Sequence, residues 1–102
     1  MLLGAFIPNF VLAKDWDLKD GSITVNAAPD TAQTVTQGTG TPTEDTNPVI
    51  TSSGTTSNTV IITAEENATA KVTLENVNID TGATGGAAIT TSGEGNVNIE
   101  LD

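Results

Sequence analysis

The residues of this chain that could do chemistry are almost all carboxylic acids and carboxamides. The sequence contains 13 acidic residues, three lysines, and no arginine, histidine or cysteine. Catalytic triads need a histidine base or a thiol, and histidine- or thiolate-bound zinc needs the same residue types. Two carboxylates could hydrolyse a glycoside, but no motif fixes such a pair here. The sequence therefore indicates a protein that is not an enzyme.

Oxygen-rich clusters make calcium the one cofactor that the sequence indicates. Ca²⁺ takes carboxylate, amide and carbonyl oxygens as ligands. None of the clusters has the spacing of an EF-hand loop, and the asparagines could equally form side-chain ladders or stabilise turns. The candidate ligands are Asn76, Asn78 and Asp80 in one cluster and Glu100 and Asp102 in another, with Glu44, Asp45 and Asn47 as a third group.

The net charge of -10 excludes some partners and leaves others open. Nucleic acids and anionic membranes are disfavoured, because both are bound mainly through lysine and arginine. Trp16 is the one aromatic residue outside the first ten. An exposed indole could stack on a sugar ring, but we expect Trp16 to close the end of the folded chain instead.

Residues 1–13 resemble the apolar part of a secretory signal. The segment is apolar, is broken at Pro8, and ends with Val11 and Ala13 at the positions that a signal peptidase reads. It is too short to span a membrane as a helix, and a positively charged start is missing. We therefore expect a mature, secreted or surface-exposed chain over residues 14–102, not inserted in a membrane. A buried N-terminal strand or helix is the alternative.

The rest of the sequence alternates short apolar stretches with turn residues, which predicts an all-β fold. Beyond one helical turn over residues 64–68, no helical periodicity is present. The predicted strands are Ser22–Val25, Gln33–Thr36, Pro48–Thr51, Thr59–Thr63, Ala70–Leu74, Val77–Asp80, Ala87–Thr90 and Asn96–Leu101.

Apolar pairs recur about every 24 residues, a period typical of solenoid repeats. The pairs are Ile23/Val25, Val49/Ile50, Val72/Leu74 and Val97/Ile99, with a second set formed by Val35 and Val60/Ile62. The sequence Asn-Val-Asn-Ile also occurs twice, although its copies need not be equivalent. Threonine is abundant, but Thr-x-Thr pairs do not recur at one phase, so a regular hydroxyl array of the ice-binding kind is not indicated.

The alternation between Val72 and Ile79 slips by one residue at Glu75-Asn76. Such a slip turns every later side chain to the other face of a strand unless one residue bends the chain. Asparagine tolerates the left-handed conformation that this bend needs. We therefore predict a corner at Asn76, with apolar residues facing inward on both sides. A two-residue hairpin is the alternative.

Four segments of the chain resemble a recurrent pattern of right-handed parallel β-helix proteins of the pectate-lyase-like superfold. They are residues 16–25, which resemble the entry to the first rung, and residues 72–80, 86–89 and 95–101. Within that group the chain is most similar to secreted carbohydrate-binding and repetitive surface proteins of anaerobic Gram-positive bacteria. The resemblance implies an elongated β-coil with stacked Val, Ile and Leu, and binding of plant polysaccharides with calcium. It assigns no binding residue.

These observations together predict a right-handed parallel β-helix of about four rungs, incomplete at the C-terminus, with further rungs of the same protein as its partner. An immunoglobulin-like β-sandwich is the alternative fold. Two functions stay open: a non-catalytic, calcium-assisted carbohydrate-binding module, or a structural stalk or adhesin segment without a small ligand. An exposed aromatic residue or converging carboxylates would favour the first function. Uniform Thr, Asn and Ser faces would favour the second.

Overall fold

The computed structural model describes residues 15–102, and the predicted signal segment lies outside them. The described chain is all-β, with one turn of 3₁₀ helix, Leu18–Asp20. No helix among these residues is long and apolar enough to cross a membrane. The strands are β1 Asp15–Asp17, β2 Ile23–Ala27, β3 Thr34–Gln37, β4 Thr43–Glu44, β5 Val49–Thr51, β6 Val60–Ala64, β7 Thr69–Leu74, β8 Ile89–Ser92 and β9 Asn96–Leu101.

The first sheet contains four strands in the order β1-β5-β7-β9, and every pair is parallel. Its register places Trp16 beside Ile50, Ile50 beside Leu74, and Leu74 beside Leu101. Immunoglobulin-like sandwiches are built from antiparallel sheets. The parallel first sheet therefore contradicts the sandwich alternative.

The second sheet has five strands in the order β4-β3-β2-β6-β8. Strands β2, β6 and β8 are parallel, so Ile23, Val60 and Ile89 lie side by side. Strand β3 pairs with the other edge of β2 in antiparallel orientation, and β4 pairs with β3 in the same way. The sheet is therefore mixed, with a parallel part and an antiparallel hairpin at one edge.

The chain alternates between the two sheets as it advances. After β1 and β2 come the hairpin β3–β4, then β5 and β6, then β7 and β8, and finally β9. A parallel bridge between Thr56 and Ile79 joins the two connections that run from the first sheet to the second. Each passage through a sheet thus lies directly beside the previous one.

The core is formed by the inward side chains of both sheets. Side chains alternate between the inward and outward faces of β2 and β6, and this period of two sends Ile23, Val25, Val60 and Ile62 inward. Leu18, Val25, Ile50 and Ile62 are completely buried. The remaining core residues are Trp16, Ile23, Ala27, Val35, Val60, Ala64, Ala68, Ala70 and Val72.

The corner predicted at Asn76 is confirmed. Asn76 has φ 56°, in the left-handed region, and β7 ends at Leu74 without forming a hairpin. Leu74, Val77 and Ile79 all pack against the core. One left-handed residue therefore absorbs the slip and keeps apolar side chains inside on both sides. The predicted strand Val77–Asp80 is wrong, because only Ile79 pairs there, as an isolated bridge.

The hairpin β3–β4 covers the end of the structure that the chain enters first. Just before β3, the side-chain amide of Gln33 accepts a hydrogen bond from Lys71 N at 2.9 Å and donates to Lys71 O at 3.0 Å. It also donates to Asp45 O at 2.9 Å. A side-chain amide thus satisfies both backbone groups of Lys71 as a neighbouring strand would. Gln33 is itself buried, so the hairpin is fixed to β7.

The opposite end, at β8 and β9, is open. Ile99 is 40% exposed and Leu101 is 81% exposed, although both lie beside inward residues of β7. A recess of about 400 Å³ opens here, lined by apolar side chains that include Val77 and Ile89. The two ends of the structure therefore differ: one is closed by the hairpin, and the other exposes apolar side chains and an unpaired strand edge.

Asp17 ties the first loop to the segment after β5. The Ser53 hydroxyl donates a short hydrogen bond to its carboxylate, and Lys19 N and Ser53 N also donate, at 3.0 Å and 3.1 Å. The Ser53 hydroxyl, followed by Lys19 N, holds the pKa of Asp17 below its ordinary value. Hydrogen bonds to the charged form have this effect.

This hydrogen-bonding pattern predicts an acid-labile contribution from Asp17. A lowered pKa in the folded state gives stability that is present above the unfolded-state pKa and is lost as pH falls through the folded-state value. Between about pH 5 and pH 2, thermal melts of the wild type should lose more stability than melts of Asp17→Asn. Parallel loss in both proteins across this range would contradict the prediction.

Candidate functional surfaces

The first predicted calcium cluster lies along the corner that follows β7. Asn76, Asn78 and Asp80 are all exposed. The Asn78 amide donates to Thr55 Oγ1 at 3.0 Å, and the Asp80 carboxylate accepts from Gly82 N at 2.8 Å. The Asn78 side chain therefore links two successive connections between the sheets, and the Asp80 side chain stabilises a turn.

The second predicted cluster lies at the open end. Glu100 belongs to β9 beside Thr73, and Asp102 follows the strand, with its backbone N–H bonded to Leu74 O at 3.0 Å. Both residues are exposed. Within residues 15–102, no three acidic side chains gather into a group that could hold a metal ion. Calcium binding thus stays a prediction that the geometry does not strengthen.

Asp45 of the third group is buried and has a structural role. It is 3% exposed and accepts from Trp16 Nε1 at 2.8 Å and from Asn47 N at 3.1 Å. Trp16 itself is 4% exposed, which confirms its interpretation as a residue that closes the end of the fold. Its indole is therefore not available to stack on a sugar, and Phe6 and Phe10, the other aromatic residues, lie outside the described part.

The outward face of the second sheet carries an ordered array made mainly of small polar side chains. Register across the strands aligns them in two rows, which we call the hydroxyl face. One row is Thr36, Thr24, Ile61 and Thr90, and the other is Thr34, Asn26, Thr63 and Ser92.

Sheet geometry makes the hydroxyl face regular. Adjacent strands lie about 4.8 Å apart, and residues two apart on one strand are separated by about 6.7 Å. The hydroxyl oxygens of Thr63 and Ser92 are 2.9 Å apart and share a hydrogen bond. Six of the eight side chains bear hydroxyl groups, so the face offers hydrogen-bond donors and acceptors at fixed intervals.

The eight residues of the hydroxyl face are uncharged, although the chain carries a net charge of -10. The exposed Glu44 of β4 borders the face beside Thr34. No charged residue occurs in β2, β3, β6 or β8. The first sheet differs, since Asp15, Asp17, Lys71 and Glu100 all lie on its strands. Away from the border at Glu44, the hydroxyl face is therefore suited to a neutral, hydrogen-bonding partner rather than to an ion.

Sequence reasoning missed this face because its members are unevenly spaced along the chain. Thr24 pairs with Ile61, and Ile61 pairs with Thr90, so successive intervals differ. Thr36 joins the same row from an antiparallel strand. A search for one repeating phase cannot detect such a row. The Thr-x-Thr segment of β3 was the one local signal.

The sequence matches no family model, and neither curated proteins nor solved structures show a significant similarity to it. The proposals below therefore depend on the geometry and on the residue patterns of this chain.

Proposed function

We propose that the chain forms the first rungs of a right-handed parallel β-helix and serves as a structural stalk or adhesin segment of a bacterial surface protein. The observation that carries this proposal is the stacking of successive passages in parallel register through both sheets. Parallel crossover connections within one sheet are right-handed in nearly all proteins, which supports the proposed handedness.

The difference between the two ends supports the same proposal. Solenoids need a cap where the stack begins, and the hairpin β3–β4 covers the edge of β2 in this way. At the other end, a further rung would bury Ile99 and Leu101 and pair with the free edge of β9. The remainder of the same β-helix is therefore the partner that this end fits.

The surface supports a structural role more than a small-molecule site. The hydroxyl face is made mainly of Thr, Asn and Ser, with Ile61 as its one apolar member, the Trp16 indole is buried, and the Asp80 carboxylate caps a turn. A stalk needs a regular, soluble exterior and no precisely placed ligand groups. We propose that such a segment is non-catalytic and extracellular, and the extracellular location agrees with the predicted signal.

Carbohydrate binding is a second candidate, and the hydroxyl face is the observation that favours it. Neutral polysaccharide chains present hydroxyl groups that a rigid array of donors and acceptors could match. An uncharged face fits a neutral glucan better than an acidic pectin, and it requires no calcium. Calcium assistance would have to come from the clusters at Asn76 or Glu100 instead.

Thermal unfolding with and without ligands separates the two functions. The chain would be melted in EDTA, in millimolar Ca²⁺, and in Ca²⁺ with cellulosic or pectic oligosaccharides. A ligand at a hundred times its dissociation constant adds about 2.7 kcal/mol to the stability of the folded state. The structural role predicts one cooperative transition that no addition shifts. A rise with Ca²⁺ that grows with sugar would instead establish the calcium-assisted binding module.

Variants of the hydroxyl face test the second candidate directly. Thr90→Glu places a charge in the array, whereas Asn98→Glu places the same charge on the outward side of the first sheet. Both positions are exposed, so both variants should fold. If the chain binds insoluble cellulose through the hydroxyl face, Thr90→Glu should abolish retention and Asn98→Glu should preserve it. Equal retention of both variants would exclude the face as the binding site.

A further inference from the structure

The turn between β6 and β7 carries a sequence pattern that neither proposed function uses. Asn67, Ala68 and Thr69 form the Asn-x-Thr acceptor sequence for N-linked glycans. Glu65 lies two positions before the asparagine.

The structure places this segment where an enzyme could reach it. Glu65, Glu66, Asn67 and Thr69 are all exposed, and Asn67 has φ 70° at the tip of a tight turn. Among the residues that the structure describes, the side chains of Asn67 and Thr69 have no hydrogen-bond partner. The left-handed conformation accounts for an asparagine or glycine at position 67. It does not account for a hydroxyl at position 69.

The hydrogen bonds of the turn are made by its backbone, the Ala68 side chain packs in the core, and the exposed Asn67 side chain takes part in neither. Ala68 N donates to Glu65 O at 2.9 Å, and Asn96 N donates to Ala68 O at 3.0 Å. Gly95 N donates to Ala64 O at 2.8 Å. Because Asn67 is exposed, a substituent on its Nδ2 would displace no buried group.

We propose that Asn67 is an acceptor for an N-linked glycan. The donor class is an oligosaccharide joined to a polyprenyl lipid through a diphosphate. The Asn67 amide nitrogen forms a bond to the anomeric carbon of the first sugar and loses one proton. The bond from that carbon to the diphosphate oxygen breaks, and the lipid diphosphate leaves. The modification would decorate the edge of a stalk, and it requires the export that the proposed function includes.

Intact-mass measurement tests the proposal. The full chain, directed by an added leader to the bacterial periplasm, would be produced together with a bacterial-type oligosaccharyltransferase and its lipid-linked donor. An established acceptor protein in the same cells reports that transfer is active. We expect the mass to rise by one oligosaccharide. An unmodified chain in cells whose established acceptor protein is modified would overturn the proposal. Because the added leader directs export, this result could not be caused by a native signal that fails to export the chain.

Matched variants assign the position. Asn67→Asp keeps a residue that tolerates the left-handed turn but removes the acceptor amide. Thr69→Val keeps the β-branched shape that favours a strand but removes the hydroxyl, and Thr69→Ser restores it. The added mass should be absent in Asn67→Asp and Thr69→Val and present in Thr69→Ser. A glycan retained in Asn67→Asp would contradict the assignment, and melting curves would show that each variant folds.

Discussion

Replacing Gly95 with alanine should destabilise the protein by about 3 kcal/mol, at the upper end of what overpacking costs. A Cβ atom at this position would lie 2.3 Å from Glu65 O and 2.4 Å from Ala68 O. Both contacts are with backbone atoms of the β6–β7 turn, so no side chain can move aside. Chemical denaturation followed by circular dichroism measures the change.

Gly86→Ala is the matched control for Gly95→Ala. No atom lies within 4 Å of a Cβ built at Gly86, so the same substitution there should change stability by less than about 1 kcal/mol. If Gly95→Ala were as stable as Gly86→Ala, the segment Gly93–Gly95 would not pack against the β6–β7 turn. The stacking of β9 beside β7 would then be wrong.

Trp16→Ala should cost about 3–5 kcal/mol, the range for removing a buried aromatic side chain. The indole is almost completely buried, and its Nε1 donates to the buried Asp45 carboxylate at 2.8 Å. The substitution thus leaves both a cavity and a carboxylate that has lost one donor. Since small domains are stable by only about 5–15 kcal/mol, we expect a midpoint of thermal unfolding lowered by well over about 10 °C.

Trp16→Phe separates the two contributions. It keeps a six-membered ring in the core and removes the donor to Asp45, so it should cost about 1–3 kcal/mol. Circular dichroism would follow both variants, because Trp16 is the one tryptophan and its fluorescence is lost. Equal stability of Trp16→Ala and Trp16→Phe would show that the ring of residue 16 is not part of the core.

Most of the individual strands could be predicted from sequence. In a chain without helical periodicity, short stretches in which β-branched and polar residues alternate indicate strands. The predicted strand Asn96–Leu101 has the observed bounds of β9, and most others are shifted by one or two residues. Strands β1 and β4 were missed. Each has two or three residues and a sequence dominated by Asp, Thr or Glu, which gives no β signal.

The repeat was only partly predictable. The pairing of Ile50 with Leu74 follows the predicted interval. The pair Ile23/Val25 was assigned to the same series, yet it lies in the second sheet beside Val60 and Ile62. The β3–β4 hairpin is inserted between β2 and β5, so the interval between equivalent residues is not constant along the chain. The two Asn-Val-Asn-Ile copies, whose equivalence the sequence left open, are not equivalent, because one lies at the Asn76 corner and the other in β9.

Long-range polar contacts could not be predicted. Nothing in the local sequence indicates that the Gln33 amide would bond to Lys71, which is 38 residues away, or that Asp45 would accept from Trp16. From its neighbours Glu44 and Asn47, Asp45 would be expected to lie in a solvated loop or to serve as a calcium ligand. Its burial depends on the position of the hairpin, which only the tertiary structure sets.

The central claim is that successive passages of the chain stack in parallel with a defined register, and an engineered disulfide between β6 and β8 tests it most directly. The chain has no cysteine, so a pair can be introduced cleanly. Thr63 and Ser92 are register partners with side-chain oxygens 2.9 Å apart, which suits a disulfide. The variant Thr63→Cys/Ser92→Cys should oxidise fully in the folded state, and Thr63→Cys/Thr91→Cys, shifted by one residue to the other face, should not. Efficient oxidation of the shifted pair, or failure of the aligned pair in a folded protein, would contradict the parallel stack.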